Sequence, residues 1–133
     1  MDPDELAEQP AGARLLIVDD ESLLREVLLV ALRELGHRPV VCASAREALE
    51  VFRRDANAFD LVLTDFWMAE MNGVEFAVEL RAIRPVPIVM LSAYCEGWTR
   101  ERVQSVGICD LLHKPVAVEE LDTAIRRAFE ACQ

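Results

Sequence analysis

Residues 14–20 read Arg14-Leu15-Leu16-Ile17-Val18-Asp19-Asp20, four consecutive aliphatic side chains that end in two carboxylates. An apolar run this short and continuous suits a strand buried on both faces of a parallel sheet. Three further runs repeat the pattern with different polar endings. Leu61-Val62-Leu63-Thr64 runs into Asp65, Ile88-Val89-Met90-Leu91 into Ser92, and a short run near Leu111-Leu112 reaches Lys114 directly before Pro115. Lys114 is the single lysine in a chain with thirteen arginines. Arginine does not replace lysine where a compact point charge must meet a phosphate-like oxygen, so this choice is informative. If the runs are parallel strands, their carboxyl ends gather three carboxylates, a hydroxyl and an ammonium at one edge, where ligands of open α/β sheets bind.

The segments between these runs have helical periodicity. The pattern predicts strands at 14–19, 38–43, 60–65, 87–92 and 109–113, alternating with helices at 21–35, 44–54, 73–84, 97–105 and 118–131. Gly36 closes the first helix, Ser44 with Glu47 forms a capping box for the second, and Arg84-Pro85 ends the third. Short connections between alternating elements imply right-handed crossovers and helices on both faces of the sheet. Pro39 cannot donate to a ladder, which puts the second strand at an edge. The expected fold is therefore α/β, a doubly wound, flavodoxin-like five-stranded parallel sheet of order 2-1-3-4-5. That order makes strands one and three neighbours, so Asp19, Asp20 and Asp65 converge.

A length of 133 residues suggests one domain, and 53% hydrophobic residues can bury a real core. The formal net charge is -10, and the acids Asp2, Asp4, Glu5 and Glu8 precede the first arginine, Arg14. Residues 1–13 read as a flexible acidic tail and 14–132 as the domain. The acidic balance argues against direct nucleic-acid binding, which needs a basic surface. No apolar run is long enough for membrane insertion, and no secretory signal opens the chain. The four cysteines form no C-x-x-C pair, and Cys42 and Cys109 fall in apolar runs, a pattern that fits a reduced cytoplasmic setting.

Crowded carboxylates raise one another's pKa unless a cation lies among them. Oxygen ligands of this kind suit a hard divalent ion, and Mg2+ suits one or two carboxylates completed by waters and a phosphate. The bland alternative makes Asp19 or Asp20 the cap of the first helix. With a metal bound, Asp65 is the candidate nucleophile, since aspartate can form an acyl phosphate. Phosphoryl transfer depends on positioning and charge neutralisation, which Lys114 and the Ser92 hydroxyl can supply. His113 reads as a strand-end residue and His37 as plain surface. Trp98 and Tyr94, on or near the fourth helix, suit either partner contact or packing.

In this arrangement the chain resembles the receiver domain of two-component response regulators over about residues 14–132. The resemblance rests on Asp19-Asp20, on Asp65 with Met68 and Met71-Asn72-Gly73, on Ser92-Ala93 and on Lys114-Pro115. It implies that Asp65 takes a phosphoryl group from the phosphohistidine of a histidine kinase or histidine phosphotransfer protein. Asp20 would bind Mg2+ directly, Asp19 largely through water, and Trp67 through its backbone carbonyl. Ser92 would be the switching hydroxyl, and Lys114-Pro115 a cis peptide that aims the ammonium at the site. The resemblance also implies a switched surface of fourth helix, fifth strand and fifth helix, used for a downstream target, an output domain or a homodimer. Such a domain is a phosphoacceptor, not an enzyme acting on other molecules. Three departures stand out. Ala69 replaces the usual proline and loosens its loop. Leu111 replaces the usual switch aromatic, which implies a smaller shift on the fifth strand. Trp67 and Tyr94 are large for positions flanking the site, which implies slow hydrolysis of the acyl phosphate.

Two other functions compete. A pseudo-receiver scaffold would not need Asp19, Asp20, Asp65, Ser92 and Lys114 together. An aspartyl phosphohydrolase dependent on Mg2+ typically needs a second acid two residues after the nucleophile, and Trp67 occupies that position. A Gly-rich phosphate loop is absent, which disfavours an NTPase. No output domain is expected beyond the fifth helix, so the chain would act through protein contacts or as a piece of a longer regulator.

Overall fold

The computed structural model describes residues 12–93 and 97–131. Five strands, β1 (Arg14–Val18), β2 (Arg38–Cys42), β3 (Leu61–Asp65), β4 (Ile88–Ser92) and β5 (Asp110–His113), form one parallel sheet of order β2-β1-β3-β4-β5. Between and after them lie α1 (Ser22–Glu34), α2 (Ala45–Arg54), α3 (Gly73–Ile83), α4 (Arg100–Ser105) and α5 (Val118–Ala131), with a 3-10 turn at Ala56–Ala58. Topology and edge strand agree with the sequence reading, and Pro39 sits on the edge strand β2, paired to β1 alone.

Alternation within each strand divides the core. Leu16, Val18, Val62, Ile88, Met90 and Leu111 pack with Phe52 of α2, Phe76 of α3 and Val103 of α4. Leu15, Ile17, Leu61, Leu63, Val89, Leu91 and Leu112 pack with Leu28 of α1 and Ile125 of α5. The strands are apolar throughout because helices cover both faces. Among the described residues, no helix is long and apolar enough to cross a membrane.

Helix starts follow local capping. Ser44 accepts the Glu47 N–H, and Asn72 forms a reciprocal capping box with Glu75. Helix α4 begins at Arg100 instead of 97, because extended Thr99 caps it by accepting the Arg102 N–H, and Gly97 before it has φ +83°. His37 is buried, contrary to the surface position expected for it. Gly36 ends α1 at φ +90°, and the His37 N–H reaches back to the Leu32 carbonyl at 3.0 Å. This is the Schellman closure, which turns the residue after the glycine inward against the helix end. Gly12 and Ala13 are tied to this end of the sheet, with Gly12 N–H bonded to Gly36 O and Arg38 N–H to Ala13 O.

Gly73 sets the distance between α3 and β3. A Cβ there would lie 2.6 Å from the Asp65 carbonyl oxygen and 3.1 Å from Phe66 Cα, both of them backbone. The glycine thus permits close approach at the end of the strand that carries Asp65. Gly73→Ala should cost about 1–3 kcal/mol by overpacking, read as a lower urea midpoint at unchanged m-value. An unchanged midpoint would show that the helix moves off freely.

Candidate functional site

The carboxyl ends of β1 and β3 bring together residues that lie far apart in sequence. One carboxylate oxygen from each of Asp19, Asp20 and Asp65 lies within 4.8 Å of the others. Asp19 and Asp65 are buried, whereas Asp20 is exposed. Lys114, one residue beyond β5, places its Nζ 2.9 Å from Asp19 Oδ2 and 3.3 Å from Asp65 Oδ1. The Lys114–Pro115 peptide is cis. Lys114 N–H also donates to the Ser92 carbonyl at 2.9 Å, which ties the lysine to the end of β4. Ser92 is fully buried and stands opposite His113 in the β4–β5 register.

Asp19 belongs to the charged site and does not cap α1, whose N-cap is Glu21. Its Oδ1 accepts the Glu21 N–H at 2.9 Å while Oδ2 takes the lysine. The bond to Glu21 N–H is a turn ahead of the helix, so the capping alternative does not hold for Asp19 or for exposed Asp20, while Asp19 does lie in the acidic cluster. Asp65 Oδ1 accepts the Phe66 N–H at 2.9 Å as well as facing Lys114, so its carboxylate is fixed from two sides.

Burial holds the Asp65 carboxyl above the ordinary carboxylate range; Lys114 pulls it down and the Asp19 charge pushes it up. Burial works to lower the Lys114 ammonium, but hydrogen bonding to Asp19 and the charges of both acids raise it above its ordinary value. Two buried carboxylates thus share one ammonium, and a third carboxylate lies beside them. The surplus negative charge, presented by hard oxygen donors, fits a divalent cation such as magnesium.

Other expected residues have mixed placements. Trp67 is 45% exposed beside the site, its ring set edge-on to Phe66 at 5.0 Å. Tyr94 lies outside the described residues. Trp98 packs against the core beneath α4, with the Arg102 guanidinium over its ring at 4.4 Å. Leu111 is buried in the same cluster. The Ala69 loop is closed by Met71 N–H to Ala69 O and Gly73 N–H to Phe66 O. Cys42 is buried, and burial with the nearby Glu47 charge pushes its thiol up to about 11, so it is an inert core residue. Cys109 is half-buried, less enclosed than its apolar run suggests. Sequence reasoning did not single out Arg25, whose Nη1 donates to the Asp19 carbonyl at 2.8 Å. One arginine on an amphipathic helix gives no signal that separates it from a solvated face.

Comparison with known proteins gives this geometry its relatives. The response regulator receiver domain family matches residues 15–126. The two-component response regulator ARR12 of Arabidopsis thaliana is 35% identical over 112 residues, 84% of this chain and 19% of that protein. The chain spans about a fifth of the length of the plant relatives it matches. A receiver domain protein from Clostridium thermocellum has the same fold at TM-score 0.84 and 27% identity, over 90% of this chain and 95% of that one. The beryllofluoride-activated NtrC4 receiver domain dimer follows at TM-score 0.82 and 27% identity, over 90% of this chain and 98% of that one. The sheet order is thus that of a known fold, and the chain belongs to the response regulator receiver domain family.

Proposed function

We propose that Asp65 is the phosphoacceptor of a two-component phosphorelay. The observation that carries this reading is the Lys114 ammonium shared by Asp19 and Asp65, with the Asp20 carboxylate alongside. An Asp65 oxygen attacks the phosphorus of a donor phosphohistidine, the P–N bond breaks, and the imidazole leaves with the electron pair and takes up a proton. Asp19, Asp20, Asp65 and the Trp67 carbonyl would hold Mg2+, which when bound offsets the carboxylate charge and that of the phosphoryl oxygens. Lys114 turns from the acids to the incoming phosphoryl group. The Ser92 hydroxyl, at the adjacent strand end, meets another phosphoryl oxygen. The chain acts on its own carboxylate and not on a diffusing substrate, which separates it from a phosphohydrolase.

A protein donor must bring its histidine to the mouth of this site, so its footprint covers neighbouring surface. Leu23, Val27 and Val30 of α1 form an exposed apolar row at helical spacing that begins three residues after Asp20. That row favours a histidine kinase or histidine phosphotransfer protein as the donor, in the cytoplasm. On the far side, Arg100 and Asp110 pair across a groove also lined by Glu119, Glu120, Thr123 and Arg127. This α4–β5–α5 face is the proposed output surface, for a target, an output domain or a second copy; the NtrC4 receiver domain, similar in fold, is itself a dimer.

Acetyl phosphate with magnesium should add one phosphate to the intact mass, and Asp65→Asn should abolish the addition. Retained labelling in that variant would place the acceptor elsewhere. The raised Asp65 pKa makes a second prediction, with this sign. The folded chain binds the Asp65 proton more tightly than the unfolded chain, so this stability is fully present below the unfolded pKa and is lost as pH rises through the raised folded pKa. Metal-free Asp65→Asn should therefore melt above wild type at neutral pH, with the gap closing in acid. A lower melting temperature for the variant at neutral pH would contradict this account.

A further inference from the structure

We propose that Arg25 is a positioning residue that aims the Asp20 carboxylate; the value of this to function rests on the phosphoacceptor reading above. Strand pairing of β1 ends at Val18 and α1 begins at Ser22, so residues 19–21 belong to neither ladder nor helix. Helix α1 has no side-chain cap hydrogen bond from its N-cap residue Glu21 and no acid in its first turn to steady this junction. Asp19 is steadied by others. Its N–H donates to Cys42 O at 3.3 Å, and its two carboxylate oxygens accept Glu21 N–H and Lys114 Nζ, both at 2.9 Å.

Asp20 has no such support. It is exposed, and its carboxylate makes no hydrogen bond or ion pair with a described residue. Its direction is therefore set by its backbone, beginning with the Asp19–Asp20 peptide. Arg25 Nη1 donates to the carbonyl of that peptide at 2.8 Å, six residues back along the chain. The peptide is planar, so holding its oxygen also orients the Asp20 nitrogen and Cα. Arg25 is itself fixed, half-buried on α1, with its N–H bonded to Glu21 O at 3.0 Å. The guanidinium thus clasps the peptide that leads into the one carboxylate of the triad that lacks a contact of its own.

The alternative role is electrostatic, and it predicts the opposite sign. A guanidinium acting merely as a nearby positive charge repels a divalent cation, so its removal would tighten cation binding. A clasp that aims a ligand loosens cation binding when removed, and supporting groups of this kind commonly matter by tenfold or more.

Two measurements on the full chain decide between them. The first is amide hydrogen exchange at residues 20–22 in metal-free protein; the second is Mg2+ titration by calorimetry. Arg25→Met keeps the apolar stem and removes the donors, whereas Arg25→Lys keeps a charge and a donor. In Arg25→Met, exchange at these amides should quicken and magnesium affinity fall about tenfold; in Arg25→Lys affinity should stay within about threefold of wild type. Unchanged exchange in Arg25→Met, or magnesium binding as tight as wild type or tighter, would overturn the proposal. If the Met variant does not fold, the Lys variant decides: affinity within that range supports the clasp and a larger loss refutes it. A wild type that binds no magnesium would refute the phosphoacceptor reading, while hydrogen exchange would still decide the role of Arg25.

Discussion

The Lys114 ammonium between Asp19 and Asp65 is the interaction on which this edge of the sheet depends. Two carboxylates at 1% and 7% exposure cannot both remain ionised in an apolar setting without a partner. One ammonium answers for two of them, and Asp20 adds a third negative charge close by. The balance is left short of positive charge, and burial separately holds the Asp65 carboxyl above its ordinary value. On the phosphoacceptor reading, a site in this condition would gain stability from a cation and reactivity from a lysine that turns away from the acids.

Topology makes that charge density possible. In the order β2-β1-β3-β4-β5, Asp19 and Asp65 follow adjacent strands, and Lys114 follows the far edge strand. The lysine reaches back across the end of β4, where its N–H is bonded to Ser92 O. Gly73 then lets α3 close against the Asp65 carbonyl, so the loop from Phe66 to Asn72 is compact where it borders the acid. Every group in the site is placed by a strand end, and the strand ends are placed by two apolar cores that tolerate no slippage of register.

The sheet was legible from the sequence because strands covered on both faces read as unbroken aliphatic runs, and each run ended in a chemically distinct residue. Pro39 marked the edge strand through its missing donor. Helix ends were legible where caps are local, as at Ser44 and Asn72. The start of α4 was misplaced because Trp98 looks helical by periodicity, whereas Thr99 behind it takes the cap. His37 was misread because a polar residue after a helix-ending glycine suggests solvent, while the Schellman closure folds it inward. Arg25 was illegible for another reason. Its role lies in a hydrogen bond to a carbonyl, and carbonyls carry no sequence signature.

The path from the site to the α4–β5–α5 face is shaped by Leu111. A leucine buried at 4% exposure, in one cluster with Met90 and Val103, fills its place and has no ring to swing outward. Displacing it would open a cavity, at a cost that grows with the volume left behind. On the phosphoacceptor reading, movement of Ser92 is therefore passed on along backbone routes. One runs through the Ser92 O to Lys114 N–H bond into the end of β5. The other follows the chain beyond Ser92 toward Gly97 and Trp98, where Arg102 bonds the Gly97 carbonyl at 3.0 Å and covers the indole. Because Trp98 packs on the cluster that holds Leu111, these routes meet beneath α4. On the same reading, a buried leucine and a stacked indole, in place of a rotating ring on β5, would make that helix the element a phosphoryl group at Asp65 shifts.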